Sequence, residues 1–487
     1  MATATYKFEV DWSNDGDWSD TGEDVTSRVR AREGVRWDRG RDQIRALSPP
    51  MAGRSDFTLD NRSKDYSPEY ASGPLYGNLL PGRKVRIRTT APSAATLFTG
   101  FLDDLPQHPL RTQRSVDAPA LGPLSRLRGV KVSTGLYTNI TTGVALGHLL
   151  TAAGWPLGDR TLSTGQTDLL YWWCDEDDAF DMAVTLLNTE GPGATLYESG
   201  DGKIVFEDRH YRQLTARSTT SQATFRDSGA EPLMSDFAYQ PHLRDIINAA
   251  TLTVAARTAE AEAVVWQLGG TLSLGASQAI ALVARSSHPF SGATTPVATT
   301  DYTVLTGSVA SVSLSRTSGA STVVTVTAGA GGATIADLQL RATSYEATET
   351  LLSNTVDASA SIAKYGLRPY RPSIWPDVVP DFAVDTCNVL VQRYSEPRAT
   401  VRVELNSAQA TRLTQQLTRE ISDRVTVVEA QTGLNADCFI EHIAHEVQLA
   451  GKLHRTIFGL EKASTDTLLV VDSADAIVDD ADAIVEY

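Results

Sequence analysis

The residue types best placed to do chemistry stand near the start of the chain. Asp11, Ser13, Asp15 and Asp17 alternate, and Gly16 sits between the last two. Oxygen donors at every second position let a loop wrap a hard cation such as calcium, and a glycine at the sixth place permits the tight turn. The twelfth place of such a loop needs a bidentate glutamate. Here it is Gly22, and Glu23 comes one residue late. Two readings stay open: a calcium loop, or an acidic turn between strands. Calcium is the one cofactor that the sequence suggests.

Other chemistry-bearing patterns fall short of a site. Glu441-His442-Ile443-Ala444-His445-Glu446 approaches the zinc-protease motif in the wrong order. On a strand, His442 and His445 would point to opposite faces and could not share a metal. Gly200-Asp201-Gly202-Lys203 lacks the first glycine and the hydroxyl residue of a phosphate loop, and reads as a hairpin turn. There is no Gly-x-Ser-x-Gly elbow. The cysteines at 174, 387 and 438 are odd in number and far apart, which fits neither a disulfide framework nor a zinc site. They read as buried, inert thiols. The carboxylates at 175–178 lie where a helix begins and suit its positive end. Trp172 and Trp173 precede that helix and are expected in a core, whereas Trp375, between prolines, is expected on a surface loop. No catalytic residue is assigned, and no enzymatic activity is expected.

The elements that must carry these residues are mostly strands. In 1–130, Tyr6, Phe8 and Val10 alternate with Lys7 and Glu9, and Val85 and Ile87 alternate with Arg86 and Arg88, the period of half-buried strands. In 131–232 the period changes. A short helix is expected around Val144, Leu146, Leu149 and Leu150. A second is expected over 177–190, capped by Asp177 or Asp178 and stopped by Gly191-Pro192. Thr195-Leu196-Tyr197 and Ile204-Val205-Phe206 flank Gly200-Asp201-Gly202 as a hairpin. That segment is an α+β domain. Residues 251–344 are rich in Ala, Ser, Thr, Val and Gly and read as a β-sandwich-like insert. Segments 233–250 and 345–462 form a second β domain with one helix, marked by Leu413, Leu417 and Ile421 and started at Ser407. The 463–487 tail repeats itself: Ser473-Ala474-Asp475-Ala476-Ile477-Val478-Asp479 is echoed by Asp480-Ala481-Asp482-Ala483-Ile484-Val485-Glu486. Its apolar pairs Ile477, Val478 and Ile484, Val485 are candidate docking residues for a neighbouring subunit. A frayed acidic end is the other reading. The fold class is therefore mainly β with α+β modules.

Composition narrows the function. The 487 residues carry a net charge of −16, which argues against a protein that grips nucleic acid through clustered cations. An acidic wall would let DNA slide past instead; from composition alone, acidity that serves only solubility is the stronger reading. The start, MATATYKFEVDW, has no basic and then apolar pattern, so no secretory leader is expected. No run approaches the roughly 20 apolar residues of a membrane span, and no membrane insertion is expected.

A succession of motifs then carries a resemblance. Asp11-Trp12-Ser13-Asn14-Asp15-Gly16-Asp17-Trp18 is followed by Asp24-Val25-Thr26, Phe57-x-Leu59-Asp60-Asn61, Tyr66-Ser67-Pro68, Pro74-Leu75-Tyr76, Pro81-Gly82-Arg83 and Leu97-Phe98-x-Gly100. The second half adds Asp357-x-x-x-Ser361-Ile362-x-x-Tyr365-Gly366, Asp423-Arg424-Val425-Thr426-Val427 and Phe439-Ile440-Glu441-His442-Ile443-x-His445. In order and spacing these resemble the minor tail proteins of long-tailed phages, of the baseplate-hub type. The resemblance covers most of the chain outside 251–344. It implies two tail-tube-like β-barrel domains joined to α+β modules. It also implies a homotrimer at the tail tip of a virion, synthesised in the host cytoplasm. Implied partners are a distal tail protein ring, the C-terminus of a tape-measure protein and other minor tail or tip proteins, with DNA only in transit through the channel. Three chains with two barrels each would mate a sixfold tube to a threefold tip and close or line the channel. The alternatives are a distal tail or receptor-binding tip protein, a carbohydrate-binding tip module with 251–344 as reader, and a tail-associated hydrolase.

Overall fold

The computed structural model describes residues 2–30, 33–41, 47–241, 243–347, 352–448, 453–463, 467–468 and 483–484. The chain is mainly β with a few helices. Its dominant element is one twelve-stranded sheet. Six strands come from the first 121 residues: Thr5–Val10, Lys84–Ala91, Ala95–Leu102, Ala120–Leu121, Pro50–Asp56 and Val35–Arg41, in that spatial order. Six come from residues 224–462: Leu434–Gln448, Leu453–Lys462, Ala399–Asn406 and Asp236–Pro241 in line, with Arg424–Glu429 branching from Leu434–Gln448 and Thr224–Arg226 pairing with Arg424–Glu429.

Alternation explains these strands. Val85 and Ile87 are fully buried, while Arg86 and Arg88 turn to the other face. There they grip Glu9 of the facing strand at 2.8 Å each, so the polar face is paired across the ladder. The buried face meets Trp12, Trp37, Phe57, Leu59 and Phe98 in one core. The second half has a separate core of Val401, Val403, Val425, Val427, Ile440, Ile443 and Phe458, to which the hairpin Thr195–Glu198 and Ile204–Glu207 adds Tyr197 and Val205. The sheet thus has two halves of six strands, one from residues 5–121 and one from 224–462, each with its own core.

The α+β module follows its caps. Asp178 accepts hydrogen bonds from the Phe180 and Asp181 amides and starts the helix Ala179–Glu190; Gly191, at φ +98°, ends it. This helix packs with Thr142–Ala152 around Trp172 and Cys174. The module's boundary differs from the sequence expectation. Ile247, Leu252 and Val254, and then Trp375, Val378, Leu390, Val391 and Tyr394, belong to this core. The region 345–462 also holds three helices rather than one, Ser359–Tyr365, Pro380–Tyr394 and Ala410–Thr418. Trp375 is not on the surface: it is buried, donates to the Tyr171 carbonyl at 2.6 Å and meets Trp173 edge-on. Ser407 does not cap a helix either. It is buried, and its Oγ accepts the His454 amide.

The insert is a sandwich, as its β-branched composition predicts. One sheet holds Arg257–Ala259, Ala263–Gln267, Phe290–Thr294 and Gln339–Ala347. The other holds Thr271–Leu274, Ala279–Arg285, Thr303–Arg316 and Ser321–Ala336. Val324, Val326, Ile335 and Leu340 lie between them.

Candidate functional site: the seam and its basic cleft

The two β modules meet where Val35–Arg41 runs antiparallel to Leu434–Gln448, from Val35 opposite Val447 to Gly40 opposite His442. The register slips between Asp38 and Gly40 on one side. Gly40 takes φ +110°, and a Cβ there would lie 2.3 Å from the Glu441 carbonyl oxygen and 2.9 Å from His442 Cα. Only glycine lets the two backbones approach this closely.

A buried polar chain crosses the seam. The Tyr6 hydroxyl lies 2.7 Å from His454 Nδ1, and His454 Nε2 lies 2.8 Å from His445 Nδ1. Thr456 Oγ1 sits 3.0 and 3.1 Å from these same two rings. Trp37 stacks on His445 with ring centres 4.9 Å apart. Burial pushes the His454 imidazole down to about 3. Burial, with the charges of His454, Arg39 and His442, holds His445 well below the usual imidazole range. Both rings are therefore neutral at pH 7. The helix Ala410–Thr418 closes the same junction. Its Leu413 and Leu417 enter the core of the first module, whose own residues end at Ala120. Gln416 Nε2 donates to the carbonyls of Leu405 and His454.

Behind the seam lies a cleft of about 570 Å³ between the second β module and the α+β module. Among the described residues its wall carries Arg41, Arg209, Arg212, Arg393, Arg398, Arg424 and Lys462, and one carboxylate, Glu461. The carboxylates that partner the wall sit behind it. Glu441 bridges Arg41 at 3.0 Å and Arg212 at 2.5 Å. Burial alone would raise the Glu441 carboxyl, but Arg212 and Arg41 hold it below the usual range. Asp437 holds Arg424 at 2.8 Å, and Glu190 lies 3.9 Å from Arg209. Arg41 and Arg398 share Glu461. Arg212 is nine-tenths buried, and its Nη2 has no hydrogen-bond partner among the described residues. The wall also carries apolar side chains, among them Val184, Leu187, Leu214, Leu390 and Phe439, beside polar ones such as Asn188, Gln213 and Thr386. Such a surface suits an extended partner that carries both carboxylates and aliphatic side chains.

The sequence-predicted residues fall elsewhere. Asp11 is buried, and its two carboxylate oxygens accept the amides of Asn14, Asp15 and Gly16. Asp15 accepts the Asp17 amide, Asp17 accepts the Trp18 amide, and Ser13 Oγ donates to Glu23. The loop's oxygens are thus engaged with its own backbone. Among the described residues no group of three or more His, Cys, Asp or Glu side chains converges to hold a metal ion. His442 and His445 lie on opposite faces of their strand, as expected: His445 is buried and His442 half-buried. Of the docking residues, Ile477, Val478 and Val485 lie outside the described residues. Ile484 lies in Ala483–Ile484, which pairs parallel with Thr467–Leu468. Sequence reading missed the cleft because its cations are spread from position 41 to 462, and only the sheet order gathers them. It also missed the helix Pro380–Tyr394, for which the spacing of Ala383, Cys387, Leu390, Val391 and Tyr394 was the available signal.

No protein-family model and no curated protein matches the chain. Among solved structures it is similar to the tail protein from Neisseria meningitidis MC58, at 11% identity over 94% of this chain and 96% of that one, with a TM-score of 0.49. It is similar to the 43 kDa tail protein of prophage MuSo2 from Shewanella oneidensis, at 10% identity over 94% and 96%, with a TM-score of 0.47. It is also similar to prophage tail protein gp18 from Listeria monocytogenes EGD-e, at 9% identity over 95% and 96%, with a TM-score of 0.42.

Proposed function

We propose that this chain is a structural hub of a phage-like tail tip. In this reading three copies form a ring that joins a sixfold tail tube or distal tail ring to a threefold tip, and lines or closes the DNA channel. The observation that carries it is the sheet. One chain holds two six-stranded β modules, each with its own core, locked edge to edge by Val35–Arg41 and Leu434–Gln448. Three such chains present six β modules around one axis while the outside keeps threefold symmetry. The order of motifs along the sequence supports the same placement. The seam supports a load-bearing role, because a continuous antiparallel ladder and a buried side-chain chain resist separation of the modules better than a flexible linker would. The net charge of −16 suits a channel past which DNA slides. Partners in this reading are a distal tail ring, the end of a tape-measure protein and further tip proteins.

The test is the native mass of the purified protein. Three chains of 52.4 kDa should give a species of about 157 kDa. A particle that stays at the mass of one chain at all accessible concentrations, and when mixed with a distal tail ring, would sink the proposal.

A further inference from the structure

We infer that the sandwich insert is a latched arm, held at one angle by a small polar contact with the α+β module and free to turn about a two-stranded neck when that contact opens. Nothing in this inference depends on the tail-tip reading. Separateness comes first. Among the described residues the insert's eight strands pair only with one another, and its buried core runs from Leu274 to Ala342. The chain leaves the body after Val254 and rejoins it at Leu352, which lies opposite Val254 in the ladder of Ala249–Val254 with Leu352–Asp357. On the insert side, Arg257 lies opposite Ala347. Two adjacent crossings are thus the whole covalent link. A ribbon this narrow has no flanking strand to stiffen it, which suits a pivot. Arg257 pairs with Asp377 at 2.9 Å, and Tyr345 meets Tyr171 with ring centres 4.7 Å apart, both at the foot of the insert.

The latch lies at the same end of the sandwich, around the turn between its two longest strands, Thr303–Arg316 and Ser321–Ala336. The Gly319 amide donates to the Thr134 carbonyl at 2.8 Å, and Ser321 Oγ donates to Asp175 Oδ1 at 3.0 Å. Arg285 forks across Asp175 at 3.1 Å and Glu176 at 3.0 Å. Glycine permits the approach, since a Cβ on Gly319 would stand 2.6 Å from Trp173 Cγ. Glu176 holds φ +61°, a costly conformation for a residue with a side chain, and Ser133 Oγ accepts its amide. Arg285 is half exposed, so its ion pairs are weak and screened by salt, and the fastening is reversible. With neck and latch at one end, the other end has the full lever. Thr303–Arg316 spans about 40 Å, so a tilt of about 20° at the foot carries the far end about 14 Å.

The test uses the full chain with nitroxide labels at Leu157→Cys on the α+β module and Val297→Cys on the insert. Both side chains are exposed, and the native cysteines are buried. Double electron–electron resonance at 50 mM salt should give one narrow distance distribution. At 500 mM salt it should broaden, and Arg285→Glu should broaden it at 50 mM, whereas Arg285→Lys should keep it narrow. Hydrogen exchange separates turning from unfolding. In Arg285→Glu the turn 317–320 should exchange roughly tenfold faster, while residues 323–328, in the insert's core strand, keep their protection. A narrow distribution that ignores both salt and Arg285→Glu overturns the inference. So does a distribution already broad at 50 mM salt, or an equal loss of protection in 323–328, which would mean that the insert unfolds instead of turning.

Discussion

Replacing His454 by glutamine should make the protein less sensitive to acid, by an amount that follows from the burial of the ring. In the folded chain this imidazole titrates at about 3; in the unfolded chain it takes the ordinary value of about 6.5. The native state therefore binds fewer protons than the unfolded state between these limits. The stability contributed by the neutral ring is complete above pH 6.5 and is lost as pH falls toward 3. At pH 7.5 the loss is negligible. At pH 5.0 the unfolded ring is almost fully protonated and the folded ring is not, which costs about 2 kcal/mol at 1.36 kcal/mol per unit. The bare pH profile of the wild-type protein hides this. Burial raises the Glu198 carboxyl to about 7 and the Asp377 carboxyl to about 6, and both gain stability over the same interval. The difference between wild type and His454→Gln cancels those carboxylates. At pH 7.5 the variant should be less stable by about 1–3 kcal/mol, through lost hydrogen bonds to Tyr6 and His445. At pH 5.0 that deficit should shrink by about 2 kcal/mol. Urea unfolding followed by the emission of the eight tryptophans, with Trp37 stacked on His445 among them, reads both values. A deficit that stays the same at both pH values, within about 0.5 kcal/mol, refutes the burial argument.

Other perturbations test neighbouring parts of the fold. Gly40→Ala forces a Cβ into the Glu441 carbonyl and should destabilise the seam by about 2 kcal/mol or more. Gly129→Ala, at φ +76° with nothing within 4 Å, should cost only the backbone strain of about 1 kcal/mol; equal costs would deny the close approach. Leu413→Ala should destabilise by about 2–5 kcal/mol and lower hydrogen-exchange protection in Thr5–Val10 and Lys84–Ala91; loss of protection confined to residues near 413 would count against the shared core. Millimolar calcium should leave Trp12 and Trp18 emission unchanged, since the oxygens of Asp11, Asp15 and Asp17 already hold loop amides; a saturable change would show that the loop rearranges around a cation.

Local patterns were legible where the physics is local. Alternation marked Tyr6, Phe8, Val10, Val85 and Ile87 as one buried face. Asp178 and Gly191 bounded a helix through their own hydrogen-bonding and φ preferences. The β-branched, charge-poor stretch announced the sandwich. Legibility failed where a residue's environment comes from distant chain. Trp375 looked exposed between prolines because nothing near it shows that Thr189, 186 residues earlier, accepts its amide. Ser407 looked like a helix cap because its true partner is a strand residue, His454. Leu413 and Leu417 were recognised as a helical stripe, but the stripe cannot say which of two cores it enters. The cleft is the extreme case. Its cations are scattered from Arg41 to Lys462, and the site exists only because one sheet order brings the strands of Arg41, Arg424 and Glu461 together.

The helix Ala410–Thr418 and the strand Leu434–Gln448 also set a clock on biogenesis. The first module cannot complete its core or cover its open edge until residues beyond 440 have left the ribosome. At roughly 5–20 residues per second, that leaves the outer edge of Val35–Arg41, the side away from Pro50–Asp56, unpaired for tens of seconds. An edge exposed for that long is the natural target for a chaperone, and for mispairing with another nascent copy. Synthesis of the second half is therefore the event that both finishes the first module and removes its capacity to polymerise, so truncated chains should aggregate rather than accumulate as half-proteins.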